Sequence, residues 1–317
     1  MASSAPDRPR VFATVLYWRA EEVPLVERCL ASLATQDAPH VNLRVIVVDN
    51  GCGAVVRMPT GIDLLRLPEN RGFTGGHNAG IRQALDAGAD YVFLVNSDAI
   101  LDEYCVQTLV SAARAFPQAG MLGPLVVRES DQERVESNGQ VFDRWSGRHR
   151  EIDRGAPVRA IPGAPHRADA VSGCALFVRR AVLEQVGLLD ERLFFYFEDM
   201  DWCLRARQAG FDVLVVPEAR VRHVGGGSTG PASPRTTFFS VRNHLTVAMR
   251  YTRLRRAIAP LIVGYHLAFL ARAPARRSRE HLQAALSGAL AGWRGILGPA
   301  AAPMARVARS PSDRSRR

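Results

Sequence analysis

Residues 43–51 read LRVIVVDNG. An unbroken β-branched run from Val45 to Val48 leads into Asp49 and an Asn-Gly turn, the pattern of a buried strand ending in a turn. Upstream, VFATVLYW (11–18) reads as a second strand, and EEVPLVERCLASLATQ (21–36) as a helix with Leu25, Cys29, Leu30 and Leu33 on one face. Downstream come a shorter strand, DLLRLP (63–68), a helix closed by glycine, GGHNAGIRQALDAG (75–88), and another strand, YVFLVNSD (91–98). Strands alternating with helices in this way define βαβ units and a mostly parallel sheet, so the expected class is α/β. Such sheets gather ligands at the carboxyl ends of their strands, and Asp49 and Asp98 both occupy such ends.

The second half is less regular. A helix runs from Asp102 to about Phe116, followed by the strand-like MLGPLVV and a polar, turn-rich stretch over 128–166 that reads as an excursion or small hairpins. ALFVRR is strand-like, a helix follows from Ala181, an acidic helix begins near Glu198, and DVLVVPEARVRHV supplies one or two strands. Beyond Thr237 the chain turns to helices rich in Arg and Ala. The expected organisation is one α/β domain over 10–245, divided into halves 10–101 and 102–245, then basic amphipathic helices over 246–298 and a disordered tail over 299–317.

The formal charge of +10 is local: residues 250–317 hold 14 arginines against Glu280 and Asp313, and the preceding 249 residues sum to −2. Lysine is absent altogether, which reads as coding bias. Five scattered cysteines without a CxxC pair argue against a disulfide framework or a zinc site and fit a reducing cytoplasm. MASSAPDRPR has no apolar signal core, and VFATVLYW is too short to span a bilayer, so export by that route is not expected. RRAIAPLIVGYHLAFLARAPARR (255–277) and HLQAALSGALAGWRGIL (281–297) suit helices lying in an anionic membrane surface; packing on the core or on a second subunit is the alternative. The tail lacks interleaved aromatics and any nucleic-acid motif, so no nucleic-acid partner is expected. The oligomeric state is not legible.

Candidate site residues cluster in a few motifs. FFYFEDMDWCLRARQAGF (194–211) sets Glu198, Asp199 and Asp201 among aromatics, where partial desolvation makes a carboxylate a usable base. Residues two apart on a helix point nearly opposite ways, and Asp201 has Arg205 at i+4, so Asp199 is the better candidate. Trp202 can stack on a sugar or pack in the core. PENRGFTGGHNAGI (68–81) is neither a Walker loop nor a dinucleotide fingerprint. Its backbone at Gly75 and Gly76 can face a phosphate, with Arg71 and Asn78 adding diphosphate or sugar contacts; a tight loop for close helix packing is the alternative. Asn96-Ser97-Asp98 at a strand end can place one carboxylate on a Mg²⁺ or Mn²⁺ that bridges a diphosphate, or can simply cap a helix. Asp49 can accept from a base or ribose, or serve its own turn, and His223, before three glycines, can be a ligand or structural.

Taken in order, IVVDNG, NRGFTGGHNAGI, FLVNSDA, VSGCALFVRR, FFYFEDMDWCLRARQAGF and RVRHVGGGS resemble the inverting family-two glycosyltransferases of the GT-A fold, from about Val11 to Tyr251, with the flavour of bacterial rhamnosyltransferase-like enzymes. The resemblance implies a Rossmann-like mixed sheet flanked by helices, and transfer of a sugar from a nucleotide-diphosphate donor, dTDP-rhamnose among the options, to a glycan or lipid-linked acceptor in surface polysaccharide or cell-wall synthesis. Within it Asp49, Arg71, Gly75, Gly76, Asn78, Asn96 and Asp98 would bind the donor, and Asp98 and His223 the cation, Mg²⁺ or Mn²⁺. Asp199, paired with Glu198, would be the catalytic base, and Gly173 and Trp202 would face the acceptor. Two departures stand out: Asn96 replaces the first acid of the family's DxD, and Cys52 stands where Ser is common. The expected location is the inner face of the cell membrane, peripherally bound. An inactive nucleotide-sugar-binding scaffold subunit is the competing function.

Overall fold

The structure, a computed structural model, describes residues 8–225, 233–272 and 278–299. The tail expected to be disordered lies outside these residues apart from Pro299, as do all but the first of the glycines that follow His223. In chain order the first half comprises β1 (Arg10–Tyr17), α1 (Val23–Ala34), β2 (Asn42–Asn50), β3 (Ile62–Leu67), α2 (Gly72–Asp86), β4 (Tyr91–Asn96), β5 (Ala99–Leu101) and α3 (Cys105–Ala115). The second half adds β6 (Ala119–Arg128), β7 (Asp131–Ser137), β8 (Gln140–Phe142), β9 (His149–Glu151), β10 (His166–Arg167), β11 (Ala175–Arg179), α4 (Arg180–Gln185), α5 (Glu198–Gln208) and β12 (Asp212–His223). Three helices follow: α6 (Pro234–Tyr251), α7 (Ala259–Arg272) and α8 (Arg279–Arg294).

The main sheet runs β10-β12-β6-β11-β4-β1-β2-β3. β1 lies in its middle because Val11, Ala13, Val15 and Tyr17 enter the core on one face while Phe12 and Leu16 enter it on the other. It pairs in parallel with β2 on one side and β4 on the other, so the chain reverses its direction of travel across the sheet at β1/β4, where a crevice opens beyond the strand ends. β11 is antiparallel to both β4 and β6, which makes the sheet mixed. The polar stretch after β6 forms β7 on the edge of β6 and the small β8–β9 hairpin.

Two local expectations are corrected. The buried face of α1 is Val26, Cys29, Leu30 and Leu33, with Leu25 at its margin. The glycine-rich helix starts at Gly72, three residues before Gly75, so Gly75 and Gly76 lie inside it. A Cβ at Gly76 would stand 2.5 Å from Leu16 Cδ1, and one at Gly80 3.0 Å from Thr14 Cγ2. These glycines let α2 lie directly on β1, which is the close-packing reading rather than the phosphate one.

The expected boundary at 245/246 falls within the continuous helix α6. α8 crosses α6 on small residues: a Cβ on Gly288 would meet the Phe238 carbonyl oxygen at 2.6 Å, and one on Gly292 the Arg242 carbonyl oxygen at 2.8 Å. The opposite side of α8 shows Leu282, Leu286, Leu290 and Trp293 to solvent, each 42–51% exposed. One face of α8 therefore packs on α6 while the other presents large apolar side chains outward.

Candidate active site

Asp98 and His223, 125 residues apart in sequence, are brought together by strand pairing. β12 runs antiparallel to β5 with His223 opposite Ala99, and the Val224 amide donates to the Asp98 carbonyl at 2.9 Å. His223 Nε2 then lies 3.4 Å from Asp98 Oδ1, and its Nδ1 lies 3.3 Å from Glu136 Oε2 on β7. Burial alone would favour neutral imidazole, but hydrogen bonds to these two carboxylates outweigh it and push His223 up to about 10. Glu136 went unread in the sequence because DQERVES has no apolar alternation to mark a strand.

As a donor set, one buried carboxylate oxygen and the facing imidazole nitrogen, once its proton is displaced, fit a Mg²⁺ or Mn²⁺ that takes its remaining ligands from phosphate oxygens and water. Among the described residues no group of three or more His, Cys, Asp or Glu side chains is arranged to hold an ion.

Asp199 sits in the first turn of α5. Its Oδ2 accepts from the Gly173 amide at 2.9 Å and its Oδ1 from the Met200 amide at 2.7 Å. The next residue, Cys174, accepts from the Asn96 amide through its carbonyl at 2.9 Å. Residues 173 and 174 therefore join Asp199 to the end of β4 and so to Asp98. Burial raises the Asp199 carboxyl above the usual carboxylate range, against the lowering effect of those two amides and of His149. Glu198 is buried at 6% exposure and is pushed well above its ordinary range, first by burial and then by the Asp199 charge. The Asp199 charge thus adds to burial in favouring the neutral form of its partner Glu198.

The loop that delivers α5 is strained. Phe194, Tyr196 and Phe197 have φ of 65°, 71° and 65°, a region that costs a bulky residue about 1–3 kcal/mol. Side chains from α6 hold it: Asn243 Nδ2 donates to the carbonyls of Leu193, Phe195 and Tyr196 at 2.8–2.9 Å, and Arg242 donates to that of Leu193 at 2.8 Å. Both residues are buried, and neither was singled out in the sequence. The available signal was polar Arg-Asn-His inside an otherwise apolar helical stretch.

Other expected contacts are engaged elsewhere. Asn78 clips the 189–191 segment, bonding both the amide and carbonyl of Leu189 and the Glu191 carboxylate. Arg71 pairs with Glu191 at 3.1 Å. Trp202 is fully buried and donates from Nε1 to the Gly187 carbonyl at 2.9 Å, so its face is closed to an acceptor sugar. Gly173, expected on the acceptor side, donates its amide to Asp199, and a Cβ there would lie 3.3 Å from Asp199 Oδ2. Asp49 is buried at 1% exposure, its carboxylate accepting from the Cys52 and Gly53 amides of its own turn. Asp201 points away from Asp199 and binds Arg205, Arg250 and Tyr251.

A cavity opens at the switch point, beyond the ends of β1, β2 and β4. Leu16, Trp18, Asn50, Asn96, Ser97 and Arg235 are among its walls.

This architecture, a mixed sheet with an acidic point at the end of β4 and a partly desolvated carboxylate beside it, is that of a sugar transferase of the GT-A fold. The sequence profile of the family described as Glycosyltransferase like family 2 matches residues 9–248, so the chain belongs to that family and is a glycosyltransferase. It is 30% identical over 303 residues to the N-acetylglucosaminyl-diphospho-decaprenol L-rhamnosyltransferase of Mycobacterium tuberculosis, covering 77% of this chain and 95% of that relative. It is 24% identical over 271 residues to the dTDP-rhamnosyl transferase RfbF of Shigella flexneri, covering 81% of this chain and 88% of that one. The mannosyltransferase PcManGT from Pyrobaculum calidifontis, solved in complex with GDP-Man and Mn²⁺, superposes with a TM-score of 0.52 at 20% identity over 92% of this chain and 84% of its own. That last likeness speaks to the fold.

Proposed function

We propose that the protein transfers a sugar, with inversion, from a nucleotide-diphosphate donor to a hydroxyl of a glycan or lipid-linked acceptor in bacterial surface polysaccharide or cell-wall synthesis. The observation that carries this is the Asp199 carboxylate, with its proton affinity raised by burial and its position fixed through Gly173 and Cys174 beside Asn96 and Asp98. In the reaction, the acceptor oxygen bonds to the anomeric carbon from the side opposite the diphosphate. The carbon–oxygen bond to the diphosphate breaks, and Asp199 takes the hydroxyl proton. Configuration inverts because attack and departure occur on opposite faces. Asp98 and His223 would hold the cation, which when bound offsets charge developing on the departing diphosphate. With both Asp98 and Asp199 present, an inactive scaffold role is the weaker reading.

The relatives' names favour dTDP-rhamnose as donor. A thermal-shift screen of dTDP- and UDP-sugars with and without Mn²⁺ or Mg²⁺ tests this. The expected result is a metal-enhanced rise in Tm for dTDP-rhamnose above that for UDP-sugars, because a ligand that binds only the native state stabilises it. A larger rise with a UDP-sugar would overturn the donor assignment.

No described helix is long and apolar enough to cross a membrane. We place the enzyme peripherally on an anionic inner membrane face, through the exposed stripe of α8 and the arginines near it, Arg256, Arg279 and Arg294. A Leu286→Glu, Leu290→Glu double variant is expected to lose at least about tenfold in partitioning to anionic vesicles, since each change removes an apolar side chain and adds a repelled charge. Undiminished co-sedimentation would exclude this face as the contact.

A further inference from the structure

Arg235 is an arginine in unusual company. It lies in the first turn of α6, and its guanidinium carbon stands 5.7 Å from the Trp18 ring centre, 5.6 Å from that of Phe194 and 5.9 Å from that of Phe239. These three rings come from different segments: the end of β1, the strained loop before α5, and α6 itself. Desolvation lowers its pKa, with no carboxylate among the described residues to offset the shift, yet a guanidinium remains charged at any working pH. Aromatic faces attract a cation but satisfy none of its five N–H donors.

The cavity that Arg235 lines is otherwise neutral. Among the described residues of its wall, the polar groups are Asn50, Asn70, Asn96, Ser97, Ser233 and Thr236, and Arg235 alone carries a formal charge. Asn96 is the position where the family resemblance would place an acid, so this wall has no carboxylate to neutralise the arginine. A half-buried cation ringed by aromatic faces and facing a crevice at the switch point of the sheet suits an anion with several oxygens.

Resting on the transferase reading above, we propose that Arg235 is a fixed cationic clamp for a diphosphate group, seated by the Trp18, Phe194 and Phe239 rings. The donor's diphosphate is the expected occupant because the cavity lies at the ends of β1, β2 and β4; the diphosphate of a lipid-linked acceptor has the same chemistry. In effect the chain adds a permanent positive charge in the same cavity where Asn96 removes a negative one. Diphosphate binding should then depend less on the divalent cation than two protein ligands alone would dictate.

Calorimetric titration of the full chain and of Arg235→Gln with dTDP, UDP, thymidine and farnesyl diphosphate, each with Mn²⁺ and with EDTA, tests this. Arg235→Gln is expected to weaken nucleoside-diphosphate binding by about 10- to 100-fold in both conditions and to leave thymidine unaffected. A loss confined to farnesyl diphosphate would overturn the donor assignment and move the clamp to the acceptor. Equal nucleoside-diphosphate affinities in the two proteins would overturn the clamp while sparing the transferase reading. If the unaltered chain bound no nucleoside diphosphate at all, the transferase reading would fall and the clamp with it. Should Arg235→Gln fail to fold, Arg235→Lys and the unaltered chain decide. Arg235→Lys should retain part of the affinity, and the unaltered chain in EDTA should hold dTDP within about tenfold of its Mn²⁺ value. Abolition of dTDP binding by EDTA would refute the clamp.

Discussion

An Asp199→Asn variant is expected to lose about 10²- to 10⁴-fold in kcat while binding donor as before. The amide is nearly the same shape and can still accept from the Gly173 or Met200 amide, so the turn that presents it should persist. What it cannot do is take a proton. Stability should move by no more than about 1 kcal/mol, because the ionised carboxylate is itself penalised by burial. The sign of the pH dependence follows from the same displacement. The basic form exists above the folded-state pKa and is lost as pH falls through it, so the acid limb of kcat/KM should lie above about pH 4, the ordinary aspartate value. A limb at or below that value, or a variant that keeps most of its rate, would remove Asp199 from the role.

Two residues along the same helix the expectation reverses. Asp201 is wholly buried and accepts from Arg205 Nε at 2.9 Å, Arg250 Nη1 at 2.8 Å and the Tyr251 hydroxyl at 2.9 Å. Asp201→Ala would leave two guanidinium groups and a hydroxyl facing a gap, and is expected to destabilise the fold by about 3 kcal/mol. Arg205 retains its bonds to the Val186 and Leu188 carbonyls, and both arginines reach partly into solvent, which holds the effect at the lower end for a broken buried pair. Urea unfolding monitored by tryptophan fluorescence measures it. Unchanged stability would mean that the network is redundant. Comparing the two variants separates a residue of the reaction from a residue of the fold, which adjacency in sequence does not.

The strands were legible because β-branched runs such as VIVV and YVFLV have few other uses, whereas the Asp98–His223 pair was legible only through the family resemblance. Gly76 and Asn78 were not, for a physical reason. A glycine that admits a phosphate and a glycine that admits a neighbouring strand look identical until the neighbour, here Leu16, is in place. The same ambiguity covers Asn78, whose amide meets the backbone of Leu189, 111 residues away. Trp202 illustrates a third case: its amphipathic ring suits both a sugar and a core, and the Gly187 carbonyl that fixes the choice has no signature of its own. Periodicity fixes which face of a helix is apolar, but it is silent on which polar side chains that face will meet.

The brace that Arg242 and Asn243 apply to the Leu193–Phe197 turn bears on where the working unit of this enzyme ends. A fragment cut after β12 would contain Asp98, Asp199 and His223, and would lack not only Arg235 but also the side chains that keep three aromatic residues in the left-handed backbone region. Released from them, the turn would relax toward ordinary dihedrals and carry Asp199 out of register with Gly173. The shortest competent enzyme must therefore reach through the middle of α6, and chimaeras that exchange C-terminal helices between relatives should place their junction beyond residue 243.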